Sequence, residues 1–270
     1  MAEYVEALEP LLDSAYEMVA TGDLDQAWVL LTRLESDFPD SPEVPALMGD
    51  IWMRQGDLEY ALELYDRAVE IDPEWSDGYT ARANCLAELG QIEEAWSDVE
   101  RAIELDPDNP EAHFVKGILL DVDRRFRKAE EEYRLANELD PDGFAVPIRM
   151  SRREFDAVVT QAIKRLPQEF RDRMLGVQVF VSDMPDTSLT VDGQWQPLLL
   201  GLFDGPMTTE TTLLDAVPQP PPKIHLFQRN IERMCRTKSE LLDEIEITLQ
   251  HEVGHYFGLD EERLDGVNLG

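Results

Sequence analysis

The sequence predicts a multidomain fold, an α-solenoid of four helix pairs followed by a small α+β domain. Three observations carry that reading. A set of small residues, prolines and glycines recurs every 34 positions through the first half. Short stretches of the second half alternate apolar and polar residues, as half-buried strands do. The last helical pattern of the chain contains His-Glu-x-x-His.

The repeats come first in the chain. Pro39, Pro73, Pro107 and Pro141 are 34 apart, as are Ala27, Ala61, Ala95 and Ala129. Gly22, Gly56 and Gly90 keep the same period, with Arg124 in the fourth place. Ala68, Ala102 and Ala136 form a further column, where the first unit has Leu34. Each column has a physical reason. A Gly between two helices adopts positive φ at little cost, and a Pro ends the second helix because its ring cannot continue it. The small Ala side chains let paired helices approach closely. These columns resemble the tetratricopeptide repeat family over about residues 8–143, with units near 8–41, 42–75, 76–109 and 110–143. Trp52 stands where that family usually has Tyr. The resemblance implies a curved solenoid whose inner groove is lined by the first helix of each unit. Carried onto this chain, the groove residues include Leu12, Tyr16, Glu43, Asp50, Met53, Asp77, Asn84, Glu88, Glu111, Phe114, Ile118 and Asp121. An acidic groove with apolar islands is expected to take a protein or peptide segment carrying basic and apolar residues.

Charge supports that expectation and excludes others. The chain has 57 acidic and 24 basic residues, a net charge of -33. Residues 1–150 hold 37 acids and 12 bases, and residues 151–270 hold 20 and 12. Phosphate binding needs clustered Lys and Arg, so nucleic acid is not an expected partner, and neither is an anionic membrane surface. The start, Met1 to Glu6, shows neither a basic flank nor a long apolar run, and no stretch reaches the roughly 20 apolar residues of a membrane span. A cytoplasmic protein is expected, with Cys85 and Cys235 as reduced thiols.

In the second half, Ser151 and Glu154 form a capping-box pattern ahead of Phe155, Val158, Val159 and Ile163, which predicts a helix over 151–165. That helix is expected to belong to a second domain over 148–270, following a repeat domain over 1–147, and to pack on the fourth repeat as well. Val177 to Val181 alternates as a strand, Leu198 to Phe203 is an apolar run ended by Asp204-Gly205, and Lys223 to Phe227 reads as a strand. Between them, residues 217–222 form a proline-rich loop. Thr237 and Glu240 cap a last helix that runs to about Phe257, where Gly258 stops it.

That helix carries the chemistry. His251 and His255 are four apart, so both imidazoles project from one face and can bind one ion. Glu252 adjoins the first His. Gly258 lies three residues past His255, and Glu261 three further, giving His-Glu-x-x-His-x-x-Gly-x-x-acid. Two His, a carboxylate and one open position make a catalytic zinc arrangement.

With Arg153-Glu154-Phe155, the run Leu166 to Arg171, the run Leu200 to Gly205, Ile231 to Cys235 and Glu262-Arg263-Leu264, this segment resembles the compact bacterial zincin-like metallopeptidases, over about residues 151–270. The resemblance implies zinc held by His251, His255 and a third ligand at Glu261, with Asp260 and Glu262 as alternatives, and Glu252 as general base. The family more often has His or Asp at the third-ligand position. The resemblance also implies a substrate added as a strand on a sheet edge, for which 223–227 is the candidate. His225, Arg233, Tyr256 and Arg263 are candidate cleft or transition-state residues by proximity in sequence alone. Little chain follows Glu261, so shallow specificity pockets are expected. The expected function is zinc-dependent hydrolysis of peptide bonds, with the repeats recruiting a partner. The alternative is a non-catalytic repeat adaptor with a structural or vestigial zinc site.

Overall fold

Each 34-residue period folds as two antiparallel helices joined by a tight turn. The computed structural model describes residues 2–206 and 221–259, with side chains from residue 8 onward. The chain divides into two compact units, Met1–Ala145 with Thr190–Gln196, and Val146–Leu189 with Pro197–Gly270.

The first unit holds four helix pairs: α1 (Ala2–Thr21) with α2 (Leu24–Asp37), α3 (Glu43–Gln55) with α4 (Leu58–Ile71), α5 (Ser76–Glu88) with α6 (Ile92–Leu105), and α7 (Pro110–Val122) with α8 (Phe126–Leu139). Gly22, Gly56 and Gly90 turn the chain at φ of 84°, 82° and 74°. Arg124 makes the fourth turn at φ 59° without being Gly. Ala27, Ala61, Ala95 and Ala129 are all fully buried, which explains their column.

A further column supports the pairing. Ala15, Gly49, Ala83 and Gly117 are small, and the residues sixteen further on are Leu31, Tyr65, Val99 and Tyr133. Glycine falls where the partner is Tyr: a Cβ on Gly49 would lie 2.7 Å from the Tyr65 ring, and one on Gly117 2.6 Å from the Tyr133 ring. Each buried hydroxyl finds an acceptor, Tyr65 donating to Asp50 Oδ1 at 2.7 Å and Tyr133 to Asp121 Oδ2 at 3.0 Å. Burying two tyrosines this way satisfies their polar tips as well as their rings.

The second unit begins with α9 (Arg152–Arg165), whose Ser151–Glu154 capping box forms in both directions. Then come α10 (Gln168–Arg173), β1 (Gln178–Ser182), β2 (Thr190–Val191), β3 (Gln194–Trp195), β4 (Gly201–Asp204), β5 (Lys223–Phe227), α11 (Gln228–Arg233) and α12 (Lys238–Tyr256). The short β2–β3 hairpin, whose residues group with the repeats, turns through Asp192 and Gly193 at φ 50° and 82°. Successive positive φ values are what an Asp-Gly hairpin turn requires.

The main sheet has the order β1-β5-β4, with β5 parallel to β1 and antiparallel to β4. This corrects the expectation that 223–227 is an edge: β5 is central and β4 is an edge among the described residues. The reason lies in composition, since Ile224, Leu226 and Phe227 are fully buried and buried strands read as apolar runs. Ile224 and Leu226 pack with Phe155 and Val159 of α9 and with Leu241, Ile245, Leu249 and Val253 of α12 in one core. Those four α12 residues recur every four positions, so one stripe of the helix is fully buried. Burial of side chains this size contributes about 2 kcal/mol each before conformational entropy is subtracted. Among the described residues no helix is long and apolar enough to cross a membrane.

Candidate metal centre

α12 positions the chemistry because both its ends are fixed. At its start, Thr237 and Glu240 form a complete capping box. At its end, Gly258 N–H donates to His255 O at 2.9 Å and Leu259 N–H to Gly254 O at 3.1 Å, with Gly258 at φ 74°. Those two bonds and the left-handed Gly make a Schellman stop. α10 braces the same end: the Phe170 ring meets Phe257 edge-on at 4.9 Å, the Arg173 guanidinium lies 4.6 Å over the Phe257 ring, and Tyr256 Oη donates to Arg173 O at 3.1 Å.

On the last full turn, His251 Nε2 and His255 Nε2 are 3.0 Å apart, with ring centroids 4.6 Å apart and planes at 82°. Two imidazole nitrogens on a tetrahedral zinc, each at about 2.0–2.1 Å, stand about 3.3 Å from one another. The pair therefore fits one ion with little adjustment. Glu252 is 6% exposed, directed toward β4. Glu261, its alternatives Asp260 and Glu262, and Arg263 lie outside the described residues, as does most of the loop expected over 217–222. Among the described residues no group of three His, Cys, Asp or Glu is placed to hold a metal ion.

The other candidates are placed elsewhere. His225 alternates with Ile224 and Leu226, so its ring lies on the sheet face opposite α12, stacked on Phe180 at 5.5 Å. It does not line the cleft beside α12. Burial pushes its pKa down, and its Nε2 is buried with no hydrogen-bond partner among the described residues. Tyr256 bonds to α10 as above, its ring 5.7 Å from Phe203. Arg233 Nη1 donates to Asn230 Oδ1 at 3.1 Å. His113, in the repeats, sits between Glu132 Oε2 at 2.7 Å and Pro107 O at 3.0 Å.

Two polar residues given no role from the sequence hold this region together. Asn230, fully buried, donates to Pro197 O at 2.9 Å and Leu199 O at 2.8 Å, fixing the chain that enters β4. Glu232, 1% exposed, accepts from Met150 N–H at 2.9 Å, Arg149 Nη1 at 3.1 Å and Gln228 Nε2 at 2.7 Å. Arg152 extends that network, reaching Gln228 Oε1 at 2.9 Å and Asp183 Oδ1 at 2.6 Å.

The repeats carry a separate cleft of about 500 Å³. Its acids are Asp13, Glu43, Asp50, Asp77 and Glu111, and its apolar wall includes Leu12, Leu47, Trp75 and Phe144, with Tyr16 beside them. Glu43, Asp77 and Glu111 form one 34-residue column in the first turns of α3, α5 and α7. Loss of water in the cleft, and the nearby Asp50 and Asp77 charges, push Glu111 up to about 7. Desolvation also raises Asp50, against its Tyr65 bond, and Asp77, against its Asn109 bond. Met53, Asn84, Glu88 and Phe114 are not in the lining. Asp121 and Ile118 are buried, so they leave the expected groove set. Glu43, Ala46, Asp77, Pro110 and Glu111 of the lining lie in the first turns of α3, α5 and α7, and Leu12, Asp13, Tyr16, Leu47, Asp50 and Ala81 lie in later turns.

A tetratricopeptide repeat family model matches residues 18–85, another matches 76–119, and a model described as zincin-like metallopeptidase matches 174–270. Similar solved structures include the Arabidopsis OM64 TPR domain, at 23% identity over 38% of this chain and 85% of that one, TM-score 0.36. TTC0263, a thermophilic TPR protein of Thermus thermophilus, is 22% identical over 49% of this chain and 74% of that one, TM-score 0.46. YrrB, described as a TPR protein with an unusual peptide-binding site, is 18% identical over 59% of this chain and 80% of that one, TM-score 0.39. No curated protein matches the chain. The chain thus joins tetratricopeptide repeats, within residues 18–119, to a zincin-like metallopeptidase domain over residues 174–270.

Proposed function

We propose that this protein hydrolyses peptide bonds with zinc held by His251 and His255, and that its repeats recruit a protein or peptide partner. The observation that carries the reading is the convergence of the two Nε2 atoms, 3.0 Å apart, beside a buried Glu252. Glu261 is the proposed third ligand, on the register of the motif. A bound zinc ion supplies Lewis-acid polarisation of the scissile carbonyl and lowers the pKa of water toward about 7. Glu252 takes the proton from the attacking water and passes it to the departing amide nitrogen. Its placement on α12 next to β4, an edge strand among the described residues, supports a substrate laid along that strand, since an edge offers unpaired backbone groups.

The repeat cleft supports the second half of the proposal. Five carboxylates against an apolar wall favour a segment carrying Lys or Arg next to apolar side chains.

Metal analysis and peptide-library cleavage test the enzyme. Wild type is expected to hold one zinc per chain, and His251→Ala to lose it. Glu252→Gln is expected to keep zinc and lose cleavage by at least about a hundredfold. Zinc retained without Glu252-dependent cleavage of any peptide would leave a repeat adaptor with a structural metal. Wild type without stoichiometric metal after zinc supplementation would remove the site itself.

A further inference from the structure

Glu252 is nine-tenths buried, with its side chain close against β4 at Gly201. In the β4–β5 ladder Gly201 pairs with Leu226 and Phe203 with Ile224. Leu226 and Ile224 face α12, so Gly201 and Phe203 face it too. Phe203 presents a full ring to Tyr256 at 5.7 Å. Two residues earlier there is no room at all. A Cβ on Gly201 would stand 2.7 Å from Glu252 Oε1, 2.8 Å from its Cγ and 3.0 Å from its Cδ.

Neither backbone can move to relieve that contact. β4 is paired to β5, Phe227 N–H donates to Leu200 O at 2.8 Å, and the buried Asn230 amide holds Pro197 O and Leu199 O. On the other side Leu249 and Val253, fully buried, fix the turn of α12 that carries Glu252. What yields is the Glu252 side chain, from Cγ outward.

We propose that Gly201 is a positioning residue for Glu252: the side chain missing from β4 is the space that holds the carboxylate in place on the metal helix. The catalytic consequence rests on Glu252 being the general base, as proposed above. The packing consequence does not.

Full-chain Gly201→Ala, Glu252→Ala and the double variant separate the two. In thermal melts Gly201→Ala is expected to lower Tm by about 3 °C or more when Glu252 is present. In the Glu252→Ala background, where the space is vacant, the loss should shrink to about 1 °C or less. Gly201→Ala recovered insoluble while the double variant is soluble is the same outcome in a stronger form. Equal losses in both backgrounds, or insolubility in both, would overturn the proposal.

Two further readouts address position, as distinct from stability. Cobalt-loaded Gly201→Ala should retain one metal per chain, with its visible bands shifted in the direction seen for Glu252→Gln. Bands identical to wild type would overturn the positioning role. Against a peptide that wild type cleaves, kcat should fall about a hundredfold with KM changed less than about twofold. Unchanged kcat would again overturn it. If wild type cleaves no peptide, the peptidase reading falls, and the melts still decide the case of Gly201.

Discussion

Asn230 shows how much one buried amide can hold. Its two N–H groups serve the carbonyls of Pro197 and Leu199, and its oxygen accepts from Arg233. Asn230→Ala leaves two carbonyls without their donors, so a loss of about 2–3 kcal/mol is expected in denaturant titrations. Asn230→Asp should lose more, because a carboxylate would then face two carbonyl oxygens. Nothing in the sequence marks this residue. Asn in a short polar stretch looks like any turn residue, and its importance depends on a loop some thirty positions earlier. His251, Glu252 and His255 are the opposite case. Their proposed roles depend on spacing along one helix, which the sequence displays directly. Gly201 lies between these extremes. A Gly inside a strand signals a close approach by something, and only the fold identifies that something as Glu252.

Among elements, the repeat helices were legible because their columns repeat, and the exceptions are informative. The turn between α7 and α8 places Arg124 at φ 59°, where the three equivalent turns have Gly. An L side chain in that region is disfavoured by roughly 1–2 kcal/mol. Arg124→Gly is therefore expected to stabilise the chain by about 0.5–1 kcal/mol after the added freedom of the unfolded Gly is subtracted. Thermal melts on the full chain check it, and an unchanged or lower Tm would count against the turn argument. The sheet was less legible. β1 and β5 could be read as strands, β4 showed only as an apolar run and the two-residue β2 and β3 were not read, and the order was hidden: which of two apolar runs lies in the middle depends on pairings between distant segments. The short α10 and α11 were not read as helices, since six residues are too few to display a helical period.

At the scale of the whole molecule, acidity concentrates in the repeats and has a measurable cost. Glu111 is pushed up to about 7, above its ordinary carboxylate value. A raised carboxyl pKa means the folded protein favours the protonated form. The contribution to stability is thus present below about 4.5 and is lost as pH rises to about 7. Glu111→Gln should flatten that slope and raise Tm by roughly 2–4 °C at pH 8 while changing little at pH 4. Binding runs the other way. As Glu111 ionises the cleft becomes more negative, so a Lys- and Leu-containing peptide should bind more tightly at pH 8 than at pH 6. Glu111→Gln should remove the part of that dependence that tracks a pKa near 7. Fluorescence anisotropy on the full chain measures it, and a pH-independent affinity in wild type would sink the cation reading of the cleft.

The edge strand carries a consequence for what such an enzyme could recognise. β4 runs only from Gly201 to Asp204, and Gly205 ends it at φ 145° against the backbone of Pro222. Four residues at about 3.3 Å each make a ruler of about 13 Å. A polypeptide stretched beside it would be measured over a tetrapeptide and no further. So short a gauge reads little text, and many unrelated chains contain any given word of that length. Telling one polypeptide from another then becomes the task of a second reader, and the 34-residue modules offer a surface suited to it. In the proposed division of labour the strand would set where a bond is cut, and the modules would decide whose bond it is.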